Sequence, residues 1–162
     1  MSAVPAGASS RLRPMREHDL AQVAALEQRA YEFPWSLGIF ADCLRVGYCC
    51  WTLEIGEGLA GYCIMSVAAE EAHVLNVCVA PEHRRQGHAR RMLEHLVGIA
   101  RGHRATVVFL EVRPSNPAAI TLYLDFGFRQ LAVRRNYYPA REGREDALVL
   151  ALTLDEGTSA SG

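Results

Sequence analysis

Glu111 closes the apolar run Val107-Val108-Phe109-Leu110. A carboxylate there is costly to bury unless it is paired or used. It falls at the carboxyl end of a predicted central strand, and open α/β sheets bind ligands beyond those ends. Glu111 therefore reads either as a functional carboxylate or as a structural partner for Arg113 or another arginine. Tyr123 lies in a predicted helix, two turns past Asn116, on an apolar face where tyrosine is more often core than catalyst. A third group is the turn Arg84-Arg85-Gln86-Gly87-His88-Ala89. It follows the apolar run of Val74, Leu75, Val77, Cys78 and Val79, which Pro81 stops, and it leads straight into a helical pattern. Strand, turn and helix N-terminus in that order form an anion site, because unpaired N–H groups and the positive end of the helix dipole converge there. Gly87 lets the backbone approach a phosphate, and Ala89 keeps the first helical turn clear. The turn lacks the paired glycines of a dinucleotide fingerprint.

Composition removes several chemistries. All 17 basic residues are arginine, so a phosphate-loop lysine, a Schiff-base lysine and a lysine base are excluded. The cysteines are Cys43, Cys49, Cys50, Cys63 and Cys78, an odd number with no zinc or redox spacing. They read as reduced thiols of a cytoplasmic protein. A cysteine acyl-enzyme at Cys78 would need a histidine partner that the sequence does not supply. His83, His88, His95 and His103 surround one helix without any i, i+4 pair, so a solvated face is expected and no metal site. Arg134-Arg135-Asn136-Tyr137-Tyr138-Pro139 mixes bases and aromatics, but a net charge of -1 does not recruit nucleic acid. That segment reads as a strand edge or the wall of a ligand loop. No apolar run is long enough to span a bilayer, and no signal-type segment is present.

The elements that must position these residues are legible from periodicity. Residues 1–10 and 155–162 read as tails around one domain of residues 11–154. Arg11–Met15 starts a strand. Asp19 caps a helix to about Ala30, and Ser36 caps a second helix that Gly47 ends. Tyr48–Ile55, Leu59–Ala68 and Ala72–Val79 form a meander, with a hairpin turn at Gly56-Glu57-Gly58 and another at Glu70-Glu71. A helix runs from about His88 to Arg101 with Met92, Leu93, Leu96, Val97 and Ala100 on one face. Ala105–Val112 is a buried parallel strand, and Asn116-Pro117 opens the last helix, which carries Ile120, Leu122, Tyr123 and Phe126. Phe128–Tyr138 and Ala147–Leu154 are strands around a loop over Pro139–Asp146. The predicted class is α/β, with a mixed, mostly antiparallel central sheet flanked by helices in the order β-α-α-β-β-β-α-β-α-β-β.

Taken together, these residues are similar to the GNAT family of N-acetyltransferases over roughly Arg11–Leu154. The turn matches the family pattern Gln/Arg-x-x-Gly-x-Gly/Ala, with Ala89 in place of the second glycine. The resemblance implies the GNAT fold and acetyl-CoA as co-substrate. Its pyrophosphate would be gripped by Arg84, Arg85, Gln86, Gly87, His88, Ala89 and Arg90. Val77, Cys78 and Val79 would hold the pantetheine arm by backbone hydrogen bonds, Asn116 would contact the cofactor, and Tyr123 would sit near its sulfur. Glu111 would act as general base and Tyr123 as general acid in a direct transfer without a metal.

Three stretches resemble the branch of this family that acetylates the N-terminal alanine of the eighteenth small-subunit ribosomal protein. They are Glu27-Gln28-Arg29-Ala30 with Phe33-Pro34-Trp35-Ser36, Leu110-Glu111-Val112-Arg113 with Ser115-Asn116, and Arg134–Pro139 with Gly143-Arg144-Glu145-Asp146-Ala147. His88, where related sequences carry Leu, and the longer N-terminal tail are departures. By this resemblance the partner is the N-terminal segment of a ribosomal protein, walled by Phe33, Trp35, Tyr137 and Tyr138, with neither nucleic acid nor membrane bound directly. A monomer or weak dimer is expected. Acceptors such as other N-termini, internal lysines or small amines stay open, as does a non-catalytic acyl-CoA-binding domain.

Overall fold

The computed structural model describes residues 9–154. The tails expected at 1–10 and 155–162 lie outside these residues, except that Ser10 already opens the first strand. The elements are β1 Ser10–Pro14, α1 Leu20–Ala30, α2 Leu37–Arg45, β2 Cys49–Ile55, β3 Gly58–Ala68, β4 Glu71–Val79, α3 His88–Gly102, β5 Val107–Val112, α4 Pro117–Phe126, β6 Arg129–Pro139 and β7 Arg144–Thr153. Short 3-10 turns occupy Glu17–Asp19 and Pro81–His83. The element order is the one predicted. The strands form a seven-stranded sheet in the order β1-β2-β3-β4-β5-β7-β6, and among the described pairings only β4–β5 is parallel. The described residues divide into two compact units, one of residues 9–65 with Asn76–Leu93 and the other of Ser66–Leu75 with residues 94–154.

In the first unit, β2 and β3 meet in a two-residue hairpin, Ile55 pairing with Gly58 across Gly56-Glu57. Gly56 holds a φ of +63°, which a hairpin of this length requires. Val23, Phe40, Leu53, Tyr62, Ile64, Met65, Met92 and Leu93 are completely buried here. Gly61 is dictated by a neighbour: a Cβ on it would lie 2.5 Å from the Cys78 carbonyl oxygen, so only glycine lets β3 pass β4 at this distance. Ser36 caps α2 as predicted, its hydroxyl accepting from the Ile39 N–H at 3.3 Å. Asp19 precedes α1 but does not cap it through its side chain. Its carboxylate takes two hydrogen bonds from Arg13, at 2.7 and 2.8 Å, and one from the Arg16 amide. A fork of charged donors outcompetes a neutral helix amide for the same oxygens.

In the second unit, β5 alternates rather than being buried throughout. Val108, Leu110 and Val112 are buried, while Val107, Phe109 and Glu111 face a half-buried side. Asn116 caps α4, its Oδ1 accepting from the Ala119 N–H at 3.2 Å, with Pro117 at the first helical position. The predicted Pro139–Asp146 loop is shorter than expected, because β7 begins at Arg144. The charged Arg144-Glu145-Asp146 run conceals a strand: Arg144 donates to the carbonyls of Asn136 and Tyr137, and the Asn136 N–H donates to Asp146. β6 is exposed along nearly its whole length, as an edge strand is.

Candidate active site

The first unit carries the predicted anion-binding turn. The 3-10 turn Pro81–His83 swings the chain out of β4, and Arg85 and Gly87 both take left-handed backbone, φ +63° and +81°. Such φ values turn successive N–H groups toward one side, a concavity suited to an anion. At the start of α3 the Arg91 N–H donates to the Gly87 carbonyl at 3.0 Å. The amides of a helix's first turn point along its axis toward the preceding turn. Arg84, Arg85, Gln86, Gly87 and Arg90 are exposed, and His88 and Ala89 half-buried. The His88 ring meets the Gln86 side chain at 3.1 Å. Burial, then His83 and Arg91, hold its pKa below the usual imidazole value, so near neutral pH it adds no charge of its own. The charge at this turn is arginine charge.

The strand leading into the turn is anchored from α1. Tyr31 donates its hydroxyl to the Val77 carbonyl at 2.9 Å, which occupies one lone pair of that oxygen. Cys78 is buried, and its thiol is pushed up to about 11, chiefly by burial. A thiol that remains protonated in this way does not serve as a nucleophile near neutral pH.

Glu27, one turn before Tyr31, is a site that sequence reasoning left without a role. It is 2% exposed. Its Oε1 accepts from the Tyr62 hydroxyl and from the Asn76 amide at 3.0 Å, and its Oε2 from the Trp35 backbone N–H at 2.9 Å. Those three donors hold a buried carboxylate and fix the path of the Phe33–Trp35 segment. The signal available in the sequence was a glutamate among the apolar positions of α1. The Trp35 ring packs on Phe40 at 5.3 Å, and Phe33 is 37% exposed.

The second unit holds the predicted proton-transfer groups. The Glu111 side chain is 9% exposed, and its Oε1 lies 2.7 Å from Nε2 of His73 on β4. The Tyr123 ring packs edge-on against Phe128 at 5.8 Å. Burial among protein atoms raises its hydroxyl to about 12, although the residue as a whole keeps some exposure. Tyr123 is thus a neutral phenol at physiological pH, able to donate a proton. Tyr137 and Tyr138 sit edge to face at 4.8 Å. They lie in a bulge of β6, where the register with β7 shifts between Arg134 and Tyr138 and Asn136 takes a φ of +53°. Arg113 stacks 4.3 Å from the Tyr138 ring centroid and bonds Glu145 at 3.1 Å and the Pro139 carbonyl at 2.8 Å. Burial, followed by the Glu111 charge, raises the Tyr138 hydroxyl above the usual phenol value. Asn116 is exposed, and its side-chain oxygen is engaged in the α4 cap.

The structure thus gathers Val77–Val79, residues 84–90, Phe33 and Trp35 in one unit, and Glu111, Asn116, Tyr123, Tyr137 and Tyr138 in the other. Two open depressions, of about 310 and 510 Å³, contain none of these residues. Among the described residues no group of His, Cys, Asp or Glu could hold a metal, and no helix is long and apolar enough to cross a membrane.

Residues 15–128 match the acetyltransferase (GNAT) family. The [ribosomal protein bS18]-alanine N-acetyltransferase of Escherichia coli K12 is 41% identical over 136 residues, which cover 84% of this chain and 92% of that one. The crystal structure of the ribosomal-protein-S18-alanine N-acetyltransferase from Escherichia coli superposes with a TM-score of 0.85 at 38% identity, over 91% of this chain and 95% of that one. A Bacillus subtilis acetyltransferase solved in complex with CoA superposes with a TM-score of 0.76 over 91% of this chain and all of that one, and its 19% identity speaks for the fold alone.

Proposed function

This chain belongs to the acetyltransferase (GNAT) family, an acyltransferase family that draws its acetyl group from acetyl-CoA, and on that premise we propose that it acetylates the N-terminal alanine of ribosomal protein bS18 in the cytoplasm. The observation that carries the acceptor is the level of identity to the Escherichia coli enzyme of that name, sustained over nearly all of that enzyme's length. The Arg134–Pro139 and Gly143–Ala147 stretches support it further, because the bulge they build presents Tyr137 and Tyr138.

When bound, acetyl-CoA supplies a thioester carbonyl for attack. Arg84 and Arg85 neutralise its pyrophosphate, with the amides of residues 88–90 and the positive end of α3 behind them. The backbone of Val77–Val79 holds the pantetheine arm, and an N–H of the Cys78–Val79 segment stabilises the charge that develops on the carbonyl oxygen. Asn116 contributes to the cofactor contact. Phe33, Trp35, Tyr137 and Tyr138 contact the peptide. A free α-amine has a pKa near about 8, against about 10.4 for a lysine side chain, so little help is needed to present it neutral. Glu111 takes its proton, directly or through a water, and Tyr123 protonates the departing thiolate.

The test is a panel of synthetic peptides incubated with the enzyme and acetyl-CoA and read by mass spectrometry. One peptide starts with alanine as bS18 does, others with different first residues, and one has a blocked N-terminus with an internal lysine. The expected result is a single acetyl group on the α-amine of the alanine peptide. Preference for the blocked lysine peptide would overturn the acceptor, and acetyl-CoA binding without transfer to any peptide would overturn catalysis. Glu111→Gln should lower kcat by about two to four decades at neutral pH; full activity would remove Glu111 from the mechanism.

A further inference from the structure

We propose that His73 is a positioning residue for Glu111, donating from Nε2 to one carboxylate oxygen so that the other is left, correctly aimed, for the amine. The inference rests on the reading of Glu111 as the base. β4 and β5 pair in parallel over Glu71–His73 with Val107–Phe109. His73 is therefore opposite Phe109, on the face that Phe109 shares with Glu111 two residues further on. Glu111 lies beyond the last of these pairs, and His73 closes the diagonal, Nε2 to Oε1, at 2.7 Å. A charge-assisted bond of that length fixes the carboxylate's rotation as well as its position. The Glu111 side chain is only 9% exposed, so water does little to orient it.

The His73 side chain is 34% exposed, so the ring that grips a nearly buried carboxylate also meets solvent. A carboxylate accepts and does not donate, so the ring's part in this bond is to present Nε2–H to Oε1 and leave Oε2 for the amine. Tyr138 on β6 is coupled electrostatically to Glu111, Arg113 and Tyr123, and Arg113 is held by Glu145 and stacked on Tyr138. No local pattern marks this partner, because His73 and Glu111 are 38 residues apart in the chain and meet through parallel pairing.

His73→Leu removes the donor, and His73→Gln keeps one at a similar reach. Both variants, Glu111→Gln and the two double variants would be assayed for kcat and for KM of peptide and acetyl-CoA. Thermal unfolding would verify folding. His73→Leu should lower kcat about ten- to a hundredfold, the loss of one hydrogen bond to a charged group, with both KM values within about threefold. His73→Gln should recover most of that loss at neutral pH, because its amide restores a donor to the carboxylate. In the Glu111→Gln background neither change should cost anything further. An unaltered kcat in His73→Leu, or an equal loss with and without Glu111, would overturn the positioning role. A fully active Glu111→Gln would instead overturn the reading of Glu111 as base.

Discussion

The Glu27 cluster allows a stability change to be worked from its hydrogen bonds. Glu27→Leu replaces a carboxylate by an apolar group of similar volume and leaves no room for water. Three donors then lose their acceptor: the Tyr62 hydroxyl, the Asn76 amide and the Trp35 N–H. Tyr62 is completely buried and keeps only the weakly accepting Cys78 sulfur as a partner, so its hydroxyl bears most of a desolvation cost of about 1–3 kcal/mol. Asn76 is half-buried and the Trp35 N–H lies in a loop, so each can regain part of its loss from water, leaving roughly 0.5–1.5 kcal/mol apiece. The gain from burying leucine in place of a charge offsets part of this, and the net loss should be about 2–4 kcal/mol. For a chain of this size that lowers the melting temperature by roughly 5–15 °C. Glu27→Ala should cost less, since its smaller side chain admits a water to bridge the donors. Urea unfolding of both variants and the wild type provides the measurement. Glu27→Leu within about 0.5 kcal/mol of the wild type, or less damaging than Glu27→Ala, would refute the claim that acceptor loss governs this site.

Three further outcomes follow from the same geometry. Tyr123→Phe should lower kcat by about two to four decades while moving the Kd of acetyl-CoA little; because the hydroxyl is raised to about 12, the wild type should show no alkaline loss of kcat from this group below about pH 11. Gly61→Ala drives a Cβ into the Cys78 carbonyl and should cost about 1–3 kcal/mol in thermal unfolding, while raising the KM for acetyl-CoA through the displaced β4. Arg13 holds the Asp19 carboxyl below the usual value, so its contribution to stability is complete above the ordinary carboxylate pKa and is lost as pH falls through the lowered one. The stability difference between wild type and Asp19→Asn should therefore shrink on acidification, as urea midpoints across an acid series will show.

The sequence revealed the parts of this fold whose causes are local. Asn116-Pro117 and Ser36 cap helices because their side chains reach amides three residues on. The apolar face of α3 was legible because Met92, Leu93, Leu96, Val97 and Ala100 repeat at helical spacing, and all five are buried. The turn at residues 84–90 was readable for the same reason, since strand, glycine and helix lie consecutively. What escaped notice depends on partners distant in the chain. Asp19 resembles a cap until Arg13 claims it. The start of β7 is charged and loop-like until Arg144 and Asp146 are seen bonding the bulge of β6. Glu27 and His73 are a buried acid and a strand histidine whose partners, Tyr62 and Glu111, are 35 and 38 residues away. The long separation that hides such pairs also makes them able to hold different elements together.

The arginine turn has one more consequence. A lysine set beside an acyl thioester is itself an acceptor, since its amine needs only to lose a proton to attack. A guanidinium stays protonated at any pH an enzyme meets and does not attack a carbonyl. A turn that relies on Arg84 and Arg85 for positive charge is therefore chemically inert toward the donor it is proposed to hold, and a chain with no lysine extends that inertness to every side-chain amine. In the proposed reaction the incoming peptide then meets no competitor for the acetyl group among the enzyme's own basic side chains.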